Sequence, residues 1–414
     1  MPIQDQGRYA PDSRYAWLRL AVSLLVGTAA CVGTWSVVVV LPSVQTEFGT
    51  LRAGAALPYT CVMLGFGFGN IAMGRIADRY GIIVPIIGGA LLLGFGYMLA
   101  GMAQTLWQFA LVHLLLIGVG GGAGFSPLIA DLSHWFRRHR GLAVVFGASG
   151  SYLAGVIWPQ VITWGLAHHG WRATHIGIGL AVMATMLPLA AFFRRRPSAE
   201  SIAADEAASA GARGDLGLSA NQLQWLLAVA GFCCCVAMAM PQVHLVAYCG
   251  DLGYGVARGA EMLSLMLLLG IISRIGSGFV ADRIGGAATL ALGSLMQGLA
   301  LFLYLWFDGL TSLFIVTGIF GLFQGGIVPM YAVIIREYLP AREAGMRIGI
   351  VMSATILGMA FGGYVSGAIF DAFASYRAAF LNGLAWNLVN LTVVCWLMMR
   401  ARRKTPGHSA PAAV

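Results

Sequence analysis

Apolar residues in this chain come in long runs separated by short polar turns, and their lengths set the architecture. A hydrocarbon core of ~30 Å takes about 20 predominantly apolar residues per helix. Twelve runs meet that ruler, at residues 17–41, 54–76, 82–103, 107–132, 141–166, 173–193, 222–248, 258–280, 287–307, 311–336, 345–370 and 376–399. The third is uninterrupted, with no charge from Ile82 through Ala103. The pattern predicts an all-α membrane protein with twelve transmembrane helices in two six-helix halves. Composition agrees: 59% of the 414 residues are hydrophobic and 10% charged, against ~25% charged in globular proteins. That balance excludes a soluble enzyme, a disordered chain and a secreted disulfide scaffold. No apolar stretch at the start leads into a small-residue cleavage site, so no removed signal peptide is expected.

A net charge of +9 would suggest nucleic acid in a soluble protein. Here its distribution gives another meaning. With the N-terminus inside, twenty Lys and Arg fall in the inner segments and four (Arg52, Arg172, Arg258 and Arg377) in the outer loops. Such an excess marks the cytoplasmic side, so both termini are expected there and no nucleic-acid partner is. The twenty-fifth basic residue, Arg274, lies inside the eighth run.

Residues 197–220 are rich in Ala, Ser, Gly, Glu and Asp, a composition too polar to order itself alone. The expected division is 1–193, a cytoplasmic linker at 194–221, a second bundle at 222–400 and a tail at 401–414. The halves repeat. Gly74-Arg75-Ile76-Ala77-Asp78-Arg79-Tyr80-Gly81 closes the second run, and Gly278-Phe279-Val280-Ala281-Asp282-Arg283-Ile284-Gly285 closes the eighth, 204 residues later. Pro127 and Pro329 are 202 apart. A parallel repeat of six helices is a transporter architecture.

The paired Gly-x-x-x-Asp-Arg-x-Gly loops resemble the motif of the major facilitator superfamily. Asp78 and Asp282 are placed to cap neighbouring helix N-termini, where the macrodipole favours negative charge. Arg79 and Arg283 would then pair across an inner gate. A narrower resemblance, to the monocarboxylate transporter family, rests on three segments. They are Trp135-Phe136-Arg137-Arg138-His139-Arg140-Gly141-Leu142-Ala143 with Gly147-Ala148-Ser149-Gly150, then Pro241 to Tyr248 with Asp251 and Gly253, and Ser273-Arg274-Ile275-Gly276-Ser277-Gly278. Animal members carry Asp-Gly-Gly-Trp-Gly-Trp in the first helix, where only Gly33-Thr34-Trp35 remains. They carry an Asp one turn before the arginine, where this chain has Gly270, and a first-helix Lys, whereas the only Lys here is Lys404. The resemblance therefore implies a bacterial-type member, a monomer in the cytoplasmic membrane, with a proton mechanism of its own.

Candidate chemistry centres on Arg274. An ionised side chain deep in a bilayer costs ~2.5–3.5 kcal/mol on insertion scales. Gly270, Ser277 and Gly278 share its helix face and are expected to leave a hollow beside the guanidinium, facing a central cavity. A planar fork of donors suits a carboxylate, and a single buried cation suits one carboxylate rather than two. His244 is the candidate proton carrier, since imidazole titrates near neutrality, and packing is its bland alternative. Phe125, between the glycine run 120–124 and Pro127, sits where bacterial members of the family line their cavity with an aromatic residue. Tyr59, Trp35, Gln324, Tyr331 and Asn382 complete the substrate-contact candidates.

Other chemistry is missing. No phosphate-binding Walker loop is present, the glycine strings follow no strand, and no carboxylate lies mid-run: Asp131, Asp308 and Asp371 are at helix ends. The seven cysteines have no metal-ligand spacing and read as small buried hydrophobes. Neither cofactor nor metal is expected. The reading is a secondary active transporter of a small monocarboxylate, lactate- or pyruvate-like, in symport with a proton. Its alternatives are an organic anion exchanger of the oxalate–formate type and a non-transporting membrane sensor.

Overall fold

The computed structural model describes residues 11–49 and 52–403. Among them the regular structure is helical throughout. Helix α1 runs over Arg14–Ala30 and continues as Val32–Glu47; α2 is Arg52–Tyr80 and α3 is Ile83–Met102. α4 spans Leu106–Trp135, with a π-helical turn at His113–Gly118 and a break before Ser126. The next apolar stretch, Arg140–Phe193, is 54 residues long. At ~1.5 Å per residue that is about 80 Å, far more than one crossing needs. Gly170 breaks it, at φ 73° and ψ 169°, a conformation that glycine adopts without steric penalty. The stretch is thus two antiparallel crossings, α5 (140–169) and α6 (171–193). Beyond the linker come α7 (Ala220–Asp251), α8 (Val256–Ile284), α9 (Gly286–Leu303), α10 (Leu310–Gln324 and Ile327–Tyr338), α11 (Ala344–Phe373) and α12 (Tyr376–Arg403). Among the described residues eleven stretches are long and apolar enough to span a bilayer, and the break at Gly170 makes them twelve crossings.

Each half has its own core. One cluster runs from Val22 to Phe193 around Ile86, Leu93, Tyr97 and Phe109. The other is built mainly from 216–397 around Tyr304, Phe320, Tyr331 and Phe380. Large apolar side chains also face outward, as a lipid-facing surface requires. Exposed tryptophans mark both rims: Trp17 and Trp225 toward the face with the basic loops, Trp107, Trp164 and Trp306 toward the other. Amphipathic indoles belong at that depth.

The linker differs from its expectation. Ala199–Leu216 is a helix, capped by Ser198, whose side chain accepts from the Ser201 N–H, and closed by Gly217 at φ 63°. Its order comes from partners distant in sequence. Asp205 pairs with Arg140 (3.2 Å) from the first half and Arg336 (3.1 Å) from the second. Arg137 donates to Ser201, Glu206 pairs with Arg342, and Arg213 donates to the Tyr338 carbonyl. This largely polar segment buries Leu216 in the second core and is otherwise held by charge supplied from both bundles. The tail expected at 401–414 lies, beyond Arg403, outside the described residues.

Candidate functional site

At the basic face the halves are locked by two matching contacts. Asp78, in the last turn of α2, accepts from the backbone N–H groups of Gly345 and Met346 at the start of α11, both at 2.8 Å. Asp282, in the last turn of α8, accepts from Gly141 (2.6 Å) and Leu142 (3.2 Å) at the start of α5. Each carboxylate satisfies two N–H groups that a helix start leaves without internal partners. Glycine permits the approach: a methyl on Gly74 would overlap the Gly345 carbonyl. Arg79 and Arg283 do otherwise than expected. Both are exposed, and among the described residues neither makes an ion pair; Arg79 lies over its neighbour Tyr80. At this face a buried cation that joins the halves is Arg336, 3% exposed beside His134 of α4 and paired with Asp205.

Above this gate, between the halves, lies a cavity of about 220 Å³. From the first half it is lined by Cys31, Thr34, Phe66, Phe125, Ser151 and Tyr152. From the second come Cys235, Met238, Gln242, Val328, Met352, Thr355, Ile356 and Met359. The hydrogen bonds between the halves, among the described residues, run from this level to the basic face.

Arg274 is one side chain removed from the cavity rather than facing it. Its guanidinium carbon is 4.0 Å from the ring centroid of Tyr152, which does line the cavity. Nε donates to the Gly325 carbonyl of α10 (3.0 Å) and Nη1 to the Ala148 carbonyl of α5 (2.9 Å). Arg274 is 5% exposed, and among the described residues no carboxylate is within ion-pair distance. The fold covers a bare charge with carbonyl dipoles and an aromatic face because leaving it unsatisfied in an apolar interior is costly. The expected hollow is filled as well. Gly270 packs against Gly325, and Gly278 against Leu142.

Of the other expected contact residues, Phe125 lines the cavity, its ring 6.1 Å from that of Phe66. Trp35 stands beside it, donating to the Ser151 carbonyl (3.3 Å). Gln324 is buried one step behind, its Oε1 accepting from the cavity residue Gln242 (2.6 Å). The remaining four depart from expectation. His244 wedges between α7 and α11, its Nε2 2.8 Å from the Gly363 carbonyl, because a carbonyl of its own half lies nearer than the cavity. Tyr331 is fully buried in the second core and donates to Asn390 (2.8 Å). Tyr59 is 40% exposed near the far end of α2. Asn382 is half-buried on α12, its Nδ2 without a partner among the described residues.

Two features escape the sequence reading. Arg19 of α1 and Asp131 of α4 form a buried bidentate pair (2.7 and 2.8 Å), with the guanidinium between Trp135 and Phe193. Asp131 is therefore not a solvated helix end. The second is the cavity wall of α11, Met352, Thr355, Ile356 and Met359, spaced as one helix face.

Comparison with known proteins adds the lineage. The chain matches the profile of the Major Facilitator Superfamily over residues 23–318 and again over 262–413. Among curated relatives, monocarboxylate transporter 13 of Bos taurus is 28% identical over 341 residues, covering 80% of this chain and 77% of its own. The MFS-type transporter pynF of Aspergillus niger is 24% identical over 306 residues, 73% of this chain and 69% of its own. The Fujikurins efflux protein of Gibberella fujikuroi is 29% identical over 309 residues, 72% and 63%. These relatives are mammalian and fungal and lend no support to a bacterial-type assignment. Among solved structures, the E. coli fucose:proton symporter FucP superposes at TM-score 0.67 with 17% identity, covering 95% of this chain and all of that one. The proton:xylose symporter XylE does so at 0.69 with 14% identity, covering 93% and 95%. At such identities the likeness establishes the fold.

Proposed function

Because this chain belongs to the Major Facilitator Superfamily, we propose that it is a secondary active transporter that carries a monocarboxylate, with a proton, by alternating access. The observation that carries the reading is Arg274. It is a buried cation without a counter-carboxylate, on the second half, bonded to the first half's Ala148 and stacked under a wall of the cavity between them. An anion entering that cavity would supply the missing charge, and its release would restore the carbonyl bonds. One such cation favours one carboxylate.

With the basic face cytoplasmic, as the loop charges suggest, the gate described above is the inner gate, closed, and the cavity serves the outside. Asp78 and Asp282 would hold it shut until the halves rock. Their bonds run to backbone N–H groups, so rocking breaks them without stranding a buried charge. His244 is held by a carbonyl of its own half, which leaves the substrate as the proton's vehicle, the proton being taken up by its carboxylate once that has left Arg274.

The test is uptake of labelled monocarboxylates into proteoliposomes under an inward pH gradient. Acid outside should drive accumulation, and His244→Gln should leave it unchanged. Accumulation that needs internal organic anion instead would mean exchange. A second reading, export of larger organic compounds, draws support from the likeness to the Fujikurins efflux protein. Uptake into inside-out vesicles would favour it.

A further inference from the structure

Resting on the carboxylate reading just given, we infer that the cavity selects acids with an apolar, ring-bearing body over short hydroxy or keto acids. The first support is the fate of its polar groups. The hydroxyls of Thr34, Ser151 and Thr355 each donate to a carbonyl of their own helix one turn back, those of Cys31 (2.8 Å), Ala148 (3.0 Å) and Met352 (2.7 Å). One amide hydrogen of Gln242 is held by Gln324. The donors left for a ligand are the Tyr152 hydroxyl and the second Gln242 N–H, together with Arg274 beneath. A carboxylate uses up the two that line the cavity, Arg274 lying behind Tyr152. The carbonyl of a keto acid would then be buried without a donor, which is unfavourable.

The second support is the apolar part of the lining. Phe66 and Phe125 present a tilted aromatic pair, 51° between planes, and Met238, Met352 and Met359 add flexible, polarisable surface. Aromatic rings gain from edge and offset contacts with such pairs, and thioethers mould themselves to rings. A cavity of about 220 Å³ corresponds to roughly seven waters at ~30 Å³ each. A three-carbon acid would leave most of this apolar wall wet. A phenyl-bearing acid would cover it.

The experiment compares initial uptake of labelled 3-phenylpropionate, benzoate, L-lactate and pyruvate by the full-length protein in liposomes, each corrected for protein-free vesicles. The half-saturation concentration for 3-phenylpropionate should lie about tenfold or more below that for L-lactate, since even one methylene in an apolar pocket is worth ~10–200-fold. Phe125→Ala should raise the aryl value about tenfold and the lactate value by clearly less, so that the ratio between them narrows. Met359→Ser, away from the aromatic pair, should act in the same direction more weakly. Lactate taken up as well as or better than the aryl acid, or variants that weaken both equally, would overturn the selectivity while leaving carboxylate transport standing. Failure of every acid to enter above the vesicle blank would overturn the carboxylate reading itself.

Discussion

In the first half, α2 carries Asn70 at the place where, 204 residues later, α8 carries Arg274. Both are buried. Asn70 is satisfied inside its own bundle: Nδ2 donates to the Phe66 carbonyl, and Oδ1 accepts from the backbone and hydroxyl of Ser126. Arg274 instead reaches into the other bundle. The gate one helical stretch below is symmetric, Asp78 and Asp282 each capping a helix of the opposite half. A second asymmetry runs the other way. The first half buries the Arg19–Asp131 pair where the second has Leu223 and, at the 202-residue spacing of the two prolines, Val333, both buried. The repeat thus keeps its closing device in duplicate and differs where charge is buried. On the function proposed above, the duplicated contact would serve rocking motion and the single cation a single carboxylate.

The strongest way to break this comparison is to make the halves alike. Arg274→Asn copies a residue that the fold already accepts at the equivalent site. It should leave expression and thermal stability near wild type while abolishing monocarboxylate uptake into liposomes. Arg274→Lys should fail nearly as badly, since an ammonium lacks the planar fork.

Next in size is the ion pair. Arg19→Leu alone strands Asp131 and should destabilise the protein by about 3–5 kcal/mol, the usual cost of breaking a buried pair. The double variant Arg19→Leu/Asp131→Val, which copies the second half, should recover most of that loss in thermal unfolding. Failure to recover would mean that the pair does more than fill space.

The gate contacts come third. Asp78→Asn and Asp282→Asn should each weaken the closed basic face by about 1 kcal/mol, the typical worth of a helix-capping carboxylate. Spin-label distances across that face should show equal shifts toward separation. Asp205→Asn should shift them further, because Arg336 and Arg140 then face each other without a neutralising carboxylate.

The smallest effect is at the other rim. Arg172, hydrogen-bonded to Glu47, holds that carboxyl below its ordinary value of 4.5; slight burial opposes this, and the Trp171 indole adds to it. A lowered native value contributes stability above pH 4.5 and loses it as pH falls through the native value. The difference in melting temperature between wild type and Glu47→Gln should be flat from pH 8 to 5 and vanish in stronger acid. For so exposed a pair it should correspond to about 0.5 kcal/mol at most.

The crossings were readable in the sequence because a bilayer fixes the length of an apolar run, and the repeat because Asp78 and Asp282 recur in register. The linker helix was not. Ser198 and Gly217 are ordinary helix boundary signals, but the charges that order the segment, Arg140 and Arg336, are 65 and 131 residues from Asp205. Nor were most cavity residues. In a membrane helix the lipid face and a largely apolar cavity face use the same side chains, so Met352 and Met359 carry no mark that separates them from lipid-facing Leu357. Arg274 could be found as a lone buried charge, but its cover of Tyr152 and two carbonyls is a product of packing.

The central claim is that Arg274 is the anion's partner at the floor of this cavity. Equilibrium titration of purified wild type and Arg274→Asn with benzoate and pyruvate, each beside its uncharged amide, tests it most directly. Wild type should bind the acids and not the amides, and Arg274→Asn should lose that distinction. Acid binding by a folded Arg274→Asn protein as tight as wild type would contradict it.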